Sequence, residues 1–358
     1  MDDLDKRILT AVQTDLPLAE RPFDVLAARL DLPLADLLAR VRRMVEAGLI
    51  RRMGPVFDSQ RLGHRSTLVA ARVPTDRLEE VAERVSRPPG VTHNYERRGL
   101  YNLWFTLTAR SEDALEETLA RLRDDTGVAE MHSLPALARY KIRATFDLTG
   151  AGEEPPASSG MRGGQSCPPR TEEPLRNTPP RGAQGRAPRT VKPPGEAPVR
   201  LSESQQALVR ALQDSLPTEA EPFAGVAEAV GWTVAAVLEQ VRAWLDAGVV
   251  RRFGAIVRHR EAGVGAGAMA VFRVDADRID AAGRALAARA DVTNCYRRPP
   301  LPDFPYTLYA MVHGDSEAGV HESIQEMAGR IGAEAWDALV SVREFKKTSM
   351  RYFLEGDG

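Results

Sequence analysis

The amino-acid sequence repeats itself, and this duplication constrains the fold more than any other feature of the chain. Residues 48–54, GLIRRMG, match residues 248–254, GVVRRFG, and the segment VTHNY at 91–95 matches VTNCY at 292–296. The offset between the copies grows only from 200 to 205 residues, as short loop insertions within one common fold would produce. Such a chain is expected to build two similar units.

A segment of unusual composition separates the two copies. Residues 151–200 contain 11 of the chain's 25 prolines and almost no large apolar side chains. This composition cannot bury enough surface to offset the entropy of ordering, so it predicts a flexible linker. The segment carries 8 basic and 5 acidic residues, a charge of +3. A weak tether for a polyanion is the alternative, but a solvated linker is favoured.

The overall composition is that of an ordinary globular protein. The net charge of −2 gives no general attraction to nucleic acid or to a membrane surface. No apolar run approaches the length of a membrane span, and the acidic N-terminus, MDDLD, lacks the apolar core of a secretory signal. The two cysteines, Cys167 and Cys295, form no pattern typical of a disulfide framework or of a cysteine metal site. We therefore expect a cytoplasmic protein.

Each copy begins with three short helical patterns followed by an extended segment. The first apolar stripe has helical spacing at Leu4, Ile8, Leu9 and Val12. Pro22 suits the first turn of a second helix, and Gly48 is a stop signal for a third. Residues 50–57 then have the pattern of a wing. We predict a winged helix-turn-helix over residues 1–60 and again over residues 201–260.

After each wing, strand-like and helix-like segments follow in the order β-α-β-β-α-β. In the first copy the strands are expected near 66–73, 91–95, 102–108 and 128–132, with helices at 77–86 and 112–123. This order is typical of a ferredoxin-like sandwich, an antiparallel sheet with helices on one face. The predicted fold class is α+β, with ferredoxin-like domains over residues 61–150 and 261–358. The two halves are expected to form a pseudo-dimer.

The helix-turn-helix regions lack the residues of a DNA reader. A recognition helix presents Arg, Lys, Asn or Gln to base edges at its N-terminal end, whereas this chain has LADL at 34–37 and TVAA at 233–236. Each head also has a net charge of −1, although phosphate contacts dominate affinity for duplex DNA. A head retained for packing is therefore favoured over DNA binding.

The repeated strand motif carries the side chains with the most chemistry. Because side chains alternate along a strand, His93, Tyr95 and Arg97 are expected on one face of the sheet. An imidazole exchanges protons near neutral pH and can ligate iron, and a guanidinium matches carboxylates. A lone histidine on a strand is often structural, but the neighbouring arginines and the duplication make His93 the first catalytic candidate.

The second copy of the motif differs at its ionisable position. Asn294 stands where the first copy has His93, so the second strand can form hydrogen bonds there but cannot act as an acid or base. Tyr296 and Arg298 are expected on one face and Arg297 on the other. The difference predicts one asymmetric site built from both halves. No phosphate loop, zinc box or nucleophile elbow occurs, so a substrate must carry its own electron sink.

The heads and sandwiches together resemble the Lrp/AsnC class of transcriptional regulators, and several segments resemble the siroheme decarboxylases in particular. The segments are RRMGPVFD at 51–58, STLVAA at 66–71, GVTHNY at 90–95, YNLWF at 101–105, CYRRP at 295–299 and FPYTLYAMVHG at 304–314. The resemblance covers both halves and omits the linker. Family members use paired, non-identical subunits, and this chain resembles a fusion of the two types.

The resemblance implies a reaction and a set of site residues. Siroheme would lose carbon dioxide from two acetate side chains, giving didecarboxysiroheme for haem d1 synthesis or for an alternative haem route. No cofactor beyond the iron tetrapyrrole substrate is implied. His93 would deliver a proton or ligate the substrate's iron, and Tyr95 would orient the substrate. The substrate would be held by Asn94, Arg97, Arg98, Lys141, Asn294, Tyr296, Arg297, Arg298 and Lys346.

Two departures from the family pattern bear on the catalytic residues. The motif is often followed by a second histidine where this chain has Gly99, and partner subunits can carry histidine where Asn294 stands. If each acetate needs its own proton donor, another histidine must serve. His132 and His64 are the nearest candidates, whereas His313 has weaker local company.

Two other functions are compatible with the sequence. A regulator that senses haem or an amino acid would bind specific DNA with a steep dependence on salt, and a tetrapyrrole carrier would return siroheme unchanged. The sequence also leaves open the pathway, the axial ligand, the order of the two decarboxylations and whether the fused unit dimerises again.

Overall fold

The computed structural model describes residues 1–14, 16–142, 197–257 and 266–354. The first half contains α1 (Asp3–Thr14), α2 (Pro22–Leu30), α3 (Leu34–Glu46), β1 (Ile50–Phe57), β2 (Arg65–Ala71), α4 (Leu78–Ser86), β3 (Val91–Arg97), β4 (Leu103–Ala109), α5 (Glu112–Thr126), β5 (Met131–Pro135) and β6 (Ala138–Ile142). The second half contains α6 (Glu203–Leu212), α7 (Ala224–Val230), α8 (Val234–Asp246), β7 (Val250–Val257), β8 (Ala266–Arg273), α9 (Ile279–Ala287), β9 (Val292–Arg297), β10 (Leu308–Gly314), α10 (Glu317–Ile331) and β11 (Ala335–Lys347).

The helices of the first head begin and end where the sequence predicts. α2 starts at Pro22, whose missing N–H would have no partner in the first helical turn. Gly48, just after α3, has a φ of 74°, a left-handed conformation that favours glycine. The predicted apolar stripe of α1 is buried at Ile8, Leu9 and Val12, and it belongs to one core that both heads share.

The two heads pair through their wings. β1 runs antiparallel to β7, and Gly54 lies opposite Gly254 in this two-stranded sheet. Gly254 has a φ of 156°, and a Cβ added there would lie 2.7 Å from the carbonyl oxygen of Gln13 in the other head. Any side chain at Gly254 would therefore push the heads apart.

Two equivalent arginines fasten each head to the other. Arg42 Nε on α3 donates to the Thr218 carbonyl oxygen at 3.0 Å, and Arg242 Nη2 on α8 donates to the Leu18 carbonyl oxygen at 2.6 Å. These helices occupy the positions that would read DNA. Their arginines instead bond to protein, in agreement with a packing role for the heads.

Each sandwich domain has the predicted antiparallel sheet. β2 pairs with β4 and β5, and β4 pairs with β3, while α4 and α5 cover one face. In the second domain β8 pairs with β10 and β11, and β10 pairs with β9, under α9 and α10. The uncovered faces meet between the domains in a cluster of both halves that includes Ala70, Trp104, Met269, Tyr309 and Leu339.

The last strand of each half crosses to the other half. The order across the nine-stranded sheet is β5-β2-β4-β3-β11-β8-β10-β9-β6. β11 pairs with β8 over Ala335–Val340 and with β3 over Ser341–Lys347, and β6 pairs with β9. The sequence analysis placed the last strand of the first domain near 128–132 and did not predict β6. Its sequence, ARYKI, alternates apolar and polar residues, but the segment has only five residues and its partner strand lies in the other half, so no local hairpin pattern marks it.

The halves therefore form the predicted intramolecular pair. The predicted linker, residues 151–200, falls outside the described residues except for 197–200. Among the residues that the structure describes, no helix combines the length and the apolar character needed to cross a membrane.

Candidate active site

A cavity of about 860 Å³ lies between the two halves. Strands of both sandwich sheets form its walls, and the paired wings β1 and β7 close it together with residues after β11, among them Tyr352. Pockets of roughly 300–1,000 Å³ are typical of small-molecule sites. The cavity is thus large enough for a cofactor-sized ligand and depends on both copies of the repeat.

One wall of the cavity comes from β3. His93, Tyr95 and Arg97 all line the cavity, on the shared face that strand alternation predicts. The rings of His93 and Tyr95 lie 6.3 Å apart at an interplanar angle of 29°, and Arg97 Cζ lies 5.4 Å from the centre of the Tyr95 ring. An imidazole, a phenol and a guanidinium therefore form one continuous surface.

The equivalent strand of the second half, β9, repeats this surface without the histidine. Asn294 and Tyr296 on the strand, with Arg298 just after it, line the same cavity. Arg298 Cζ lies 4.9 Å from the Tyr296 ring and 5.8 Å from the Tyr309 ring. The Tyr–Arg pair is thus duplicated, and the imidazole is replaced by an amide.

The arginine of each pair is held by the opposite half. Arg97 Nη1 donates to the Leu339 carbonyl oxygen and to Ser341 Oγ, both at 2.9 Å, and Arg298 Nη1 donates to the Leu134 carbonyl oxygen. Burial lowers the pKa of each guanidinium to about 10, so both stay charged at neutral pH. Both cations are fixed by neutral partners, which leaves their charge available to an anionic ligand.

Each wing supplies a pair of arginines to the cavity, Arg51 with Arg52 and Arg251 with Arg252. Arg52 Nη1 donates to the Leu212 carbonyl oxygen at 3.1 Å, and the equivalent Arg252 Nη1 donates to the Gln13 carbonyl oxygen at 3.0 Å. Burial lowers the pKa of both to about 10. The sequence analysis did not assign them to the site, although the duplicated Arg-Arg doublet was a signal that could have found them.

The charge of the cavity wall is strongly positive. Among the described residues that line it, Glu344 is the single carboxylate. The basic side chains are Arg51, Arg52, Arg97, Arg139, Arg251, Arg252, Arg298 and Lys347. A concave surface of one sign concentrates ligands of the opposite sign, so this cavity favours a ligand with several carboxylates.

His93 is held as a neutral imidazole. Its Nδ1 lies 2.9 Å from Thr92 Oγ1, which leaves Nε2 as the ring nitrogen without this contact. Burial lowers the pKa of His93 to about 4, and the nearby charges of Lys347 and Arg51 act in the same direction. A neutral imidazole can ligate a metal ion, and it can serve as a proton donor once an anion compensates the surrounding positive charge.

A second imidazole, His313 on β10, lines the cavity as well. Its Nε2 lies 3.0 Å from Thr293 Oγ1, and Thr293 is the repeat equivalent of the Thr92 that contacts His93. Burial lowers the pKa of His313, Lys347 acts in the same direction, and Asp291 opposes them. From the sequence, His313 was ranked low for its weaker local company.

Three of the expected binding residues face the helices instead of the cavity. Asn94 Nδ2 donates to the Ala82 carbonyl oxygen at 3.0 Å, Lys346 Nζ to the Ser86 carbonyl oxygen at 2.6 Å, and Lys141 Nζ to the Arg289 carbonyl oxygen at 2.5 Å. Strand alternation explains this, since each is adjacent in sequence to a residue that faces the cavity. We do not retain them in the site.

Four further candidates also lie outside the cavity. Arg98 is exposed 3.8 Å from Glu317, and Arg297 lies on the opposite face of β9 from Tyr296. The remaining two are histidines in aromatic contacts. The ring of His132 lies 5.6 Å from that of Tyr101, and the ring of His64 lies 5.1 Å from that of Tyr352.

Known protein families match both halves of this chain. A family described as AsnC-like ligand binding domain matches residues 61–141 and 261–346. A family described as siroheme decarboxylase NirDL-like HTH domain matches residues 5–51 and 205–251. These matches confirm the predicted tandem arrangement of heads and sandwich domains.

Individual relatives match over most of the chain or over one half. The siroheme decarboxylase of Hydrogenobacter thermophilus is 31% identical over 350 residues, or 98% of this chain and 95% of that protein. The siroheme decarboxylase alpha subunit of Oleidesulfovibrio alaskensis is 42% identical over 158 residues, 44% of this chain and 93% of the subunit. The beta subunit of that species is 39% identical over 153 residues, 42% of this chain and 97% of the subunit.

A solved structure has the same architecture. The crystal structure of the siroheme decarboxylase NirDL in co-complex with an iron-uroporphyrin III analogue matches with a TM-score of 0.68 and 30% identity. The match covers 99% of this chain and 95% of that one.

Proposed function

This chain belongs to the siroheme decarboxylase family, and from that premise we propose that it decarboxylates siroheme in the cavity between its halves. The reaction removes two acetate carboxylates as carbon dioxide and gives didecarboxysiroheme. The observation that carries the proposal is the cavity itself. It is one space of about 860 Å³, walled by a Tyr–Arg pair from each half, and its described lining residues include eight basic side chains and one carboxylate.

The basic side chains hold the substrate. Siroheme is a carboxylate-rich macrocycle, and guanidinium groups bind carboxylates through paired hydrogen bonds. Arg97 and Arg298 extend from the sandwich walls, while Arg52 and Arg252 come from the wings. The macrocycle would thus be gripped from both halves at once, and Tyr95 would pack against it. Asn94, Arg98, Lys141, Arg297 and Lys346 are not part of this proposal.

The protein contributes a proton to each decarboxylation. When an acetate loses carbon dioxide, the electron pair of the broken carbon–carbon bond passes to the methylene carbon and the adjoining pyrrole. A proton then completes a methyl group. In the free protein, burial is the largest cause that lowers the pKa of His93, and the charges of Lys347 and Arg51 add to it. Substrate carboxylates would offset the part that these charges contribute. Binding of the substrate therefore favours the protonated imidazole. Ligation of the substrate's iron by His93 is the alternative role.

His313 is the best candidate for the second proton donor. His132 and His64 lie outside the cavity, whereas His313 lines it and contacts the threonine equivalent to Thr92. No cofactor beyond the iron tetrapyrrole substrate enters the proposal.

Anaerobic incubation with siroheme, followed by mass spectrometry of the tetrapyrrole, tests this function. The wild-type protein should release didecarboxysiroheme and carbon dioxide. Recovery of unchanged siroheme from a tight complex would indicate a carrier, and salt-sensitive binding of specific DNA without turnover would indicate a regulator.

The same assay separates the two histidines. His313→Asn should accumulate tetrapyrrole that has lost one carboxylate, because its second proton donor is missing. Unchanged yields of the final product would remove His313 from the mechanism. His321→Asn is a matched control, since His321 lies on α10 outside this cavity.

A further inference from the structure

The crossing strands place two side chains of opposite charge at equivalent positions of the cavity. β11 pairs with β3 so that Glu344 lies opposite Tyr95. β6 pairs with β9 so that Arg139 lies opposite Tyr296, the repeat equivalent of Tyr95. Both Glu344 and Arg139 line the cavity.

The surrounding backbone shows that the two positions are truly equivalent. Two residues beyond Glu344, Lys346 donates to the Ser86 carbonyl oxygen at the end of α4 and to the Pro88 carbonyl oxygen in the turn before β3. Two residues beyond Arg139, Lys141 donates in the same way to the Arg289 carbonyl oxygen in the turn before β9. The registers agree, so the difference lies in the side chains that face the cavity.

The next cavity-facing position of each crossing strand also differs between the two halves. Lys347 lies opposite His93, whereas Ile142 lies opposite Asn294. Lys347 Nζ is 3.8 Å from Glu344 Oε2, so these two charges partly offset each other. The end of the cavity at His93 thus combines an imidazole with the partly offset charges of Glu344 and Lys347. The other end combines an amide with the guanidinium of Arg139.

Arg139 adds to a positive region at its own end of the cavity. Its Nε has no hydrogen-bond partner among the described residues, and its guanidinium lies near that of Arg251. Arg251 has an acidic partner, with its Nε 2.9 Å from Asp58 Oδ2. Asp58 also acts on Arg139, but among the described residues the two form no ion pair, so a substrate carboxylate at this end would meet a cation whose charge is only partly offset.

We propose that Glu344 and Arg139 orient the tetrapyrrole, so that a carboxylate that is retained binds Arg139 and the acetate that reacts lies beside Glu344 and His93. This assignment rests on the proposed function. A guanidinium would stabilise the acetate before reaction, whereas Glu344 repels it. Loss of carbon dioxide moves the negative charge from the carboxylate, beside Glu344, into the macrocycle, where a proton then neutralises it. Like charges also disfavour the reversed orientation, which would bring a retained carboxylate to Glu344.

Glu344→Gln and Arg139→Gln test the two ends separately, with iron uroporphyrin III as a probe of binding alone. Arg139→Gln should bind the probe roughly tenfold more weakly, the effect of one charge-assisted hydrogen bond. Glu344→Gln should bind it more tightly and yet turn siroheme over more slowly. Both variants should change the ratio of the two singly decarboxylated isomers, measured by chromatography early in the reaction.

The charge exchange Glu344→Arg with Arg139→Glu should shift this isomer ratio furthest. Glu96→Gln and Lys141→Gln are controls, since neither side chain lines the cavity, and thermal unfolding verifies that each variant is folded. Unchanged isomer ratios, or weaker probe binding by Glu344→Gln, would overturn the proposal. If the wild-type protein releases no carbon dioxide, the proposed function fails. In that case, opposite shifts in the affinity of Glu344→Gln and Arg139→Gln for iron uroporphyrin III would still show that the two charges act on the ligand.

Discussion

The two halves of the molecule share a backbone but differ in their chemistry at the cavity. Both supply a Tyr–Arg pair, Tyr95 with Arg97 and Tyr296 with Arg298, and both supply a wing arginine. Only the first half has a histidine at this strand position: β3 carries His93 where β9 carries Asn294. The comparison teaches that the features common to both halves are those expected to bind a carboxylate-rich ligand. The features in which they differ are those expected to direct the reaction.

Making the halves alike should have the largest effect. His93→Asn gives β3 the side chain that β9 already has, so the cavity keeps its shape and hydrogen-bonding capacity but loses a proton donor. A positioned acid or base contributes roughly 10²–10⁴-fold to a rate, and we expect a loss of kcat in this range. Single-turnover kinetics with siroheme measure it.

The change of His132 to Asn is the matched control, because that histidine contacts Tyr101 outside the cavity. His132→Asn should keep wild-type turnover. If His93→Asn is equally active, the asymmetry between the two strands has no catalytic meaning.

The next prediction concerns what the halves share. Arg298→Gln removes a buried cation that faces the cavity, whereas Arg297→Gln changes the adjacent residue on the other face of β9. A hydrogen bond to a charged group is worth about 1.5–3 kcal/mol, so Arg298→Gln should weaken binding of iron uroporphyrin III by roughly tenfold to a hundredfold. Absorption titration measures this affinity. Equal losses in the two variants would show that the cavity face of the strand does not bind the ligand.

Much of this arrangement could be predicted because local sequence patterns encode it. Helix stops such as Gly48 and the alternation of His93, Tyr95 and Arg97 depend only on neighbouring residues, and the fold shows both. The repeat indicated that two strands would share a site. The comparisons confirm the family that the motifs resemble.

The cavity residues that the sequence did not predict depend on contacts between distant segments of the chain. Arg139 and Glu344 reach the cavity because β6 and β11 cross to the opposite sheet, and no local pattern encodes that exchange. His313 was ranked low because its partner, Thr293, lies on a neighbouring strand. The sequence analysis named Lys346, whereas the cavity is lined by the adjacent Lys347, because the sequence alone does not fix which face of β11 points to the cavity.

A smaller effect should appear in the dependence of stability on pH. An unfolded histidine has a pKa of about 6.5, and the folded protein lowers the pKa of His93 to about 4 through burial and through the charges of Lys347 and Arg51. Between these values the unfolded chain binds a proton that the folded chain does not. Stability is therefore lost as the pH falls through this window.

His93→Asn removes this contribution. Between neutral pH and about pH 5.5 it should lose about 1 kcal/mol less free energy of unfolding than the wild-type protein, as measured by urea unfolding. The reverse change, Asn294→His, adds a third imidazole to the positive cavity, beside His93 and His313, and should increase the loss. Identical pH profiles for all three proteins would mean that neither strand position lowers the pKa of an imidazole.

The smallest effect should come from a feature in which the halves are most alike. Arg42→Ala and Arg242→Ala each remove one hydrogen bond that fastens a head to its partner. Both side chains are exposed, so each change should lower the free energy of unfolding by only about 0.5–1 kcal/mol, and by similar amounts. Arg121→Ala, exposed on α5, is the control, and thermal unfolding is the measurement.

The two variants should also bind iron uroporphyrin III more weakly, because the same heads supply Arg52 and Arg252 to the cavity. If these arginines served DNA instead, the variants would lose DNA affinity and keep their affinity for the tetrapyrrole. That outcome would show that the heads do not contribute to the tetrapyrrole site. A joint loss of stability and tetrapyrrole binding would instead mean that the helix-turn-helix heads act here as the closure of a catalytic cavity.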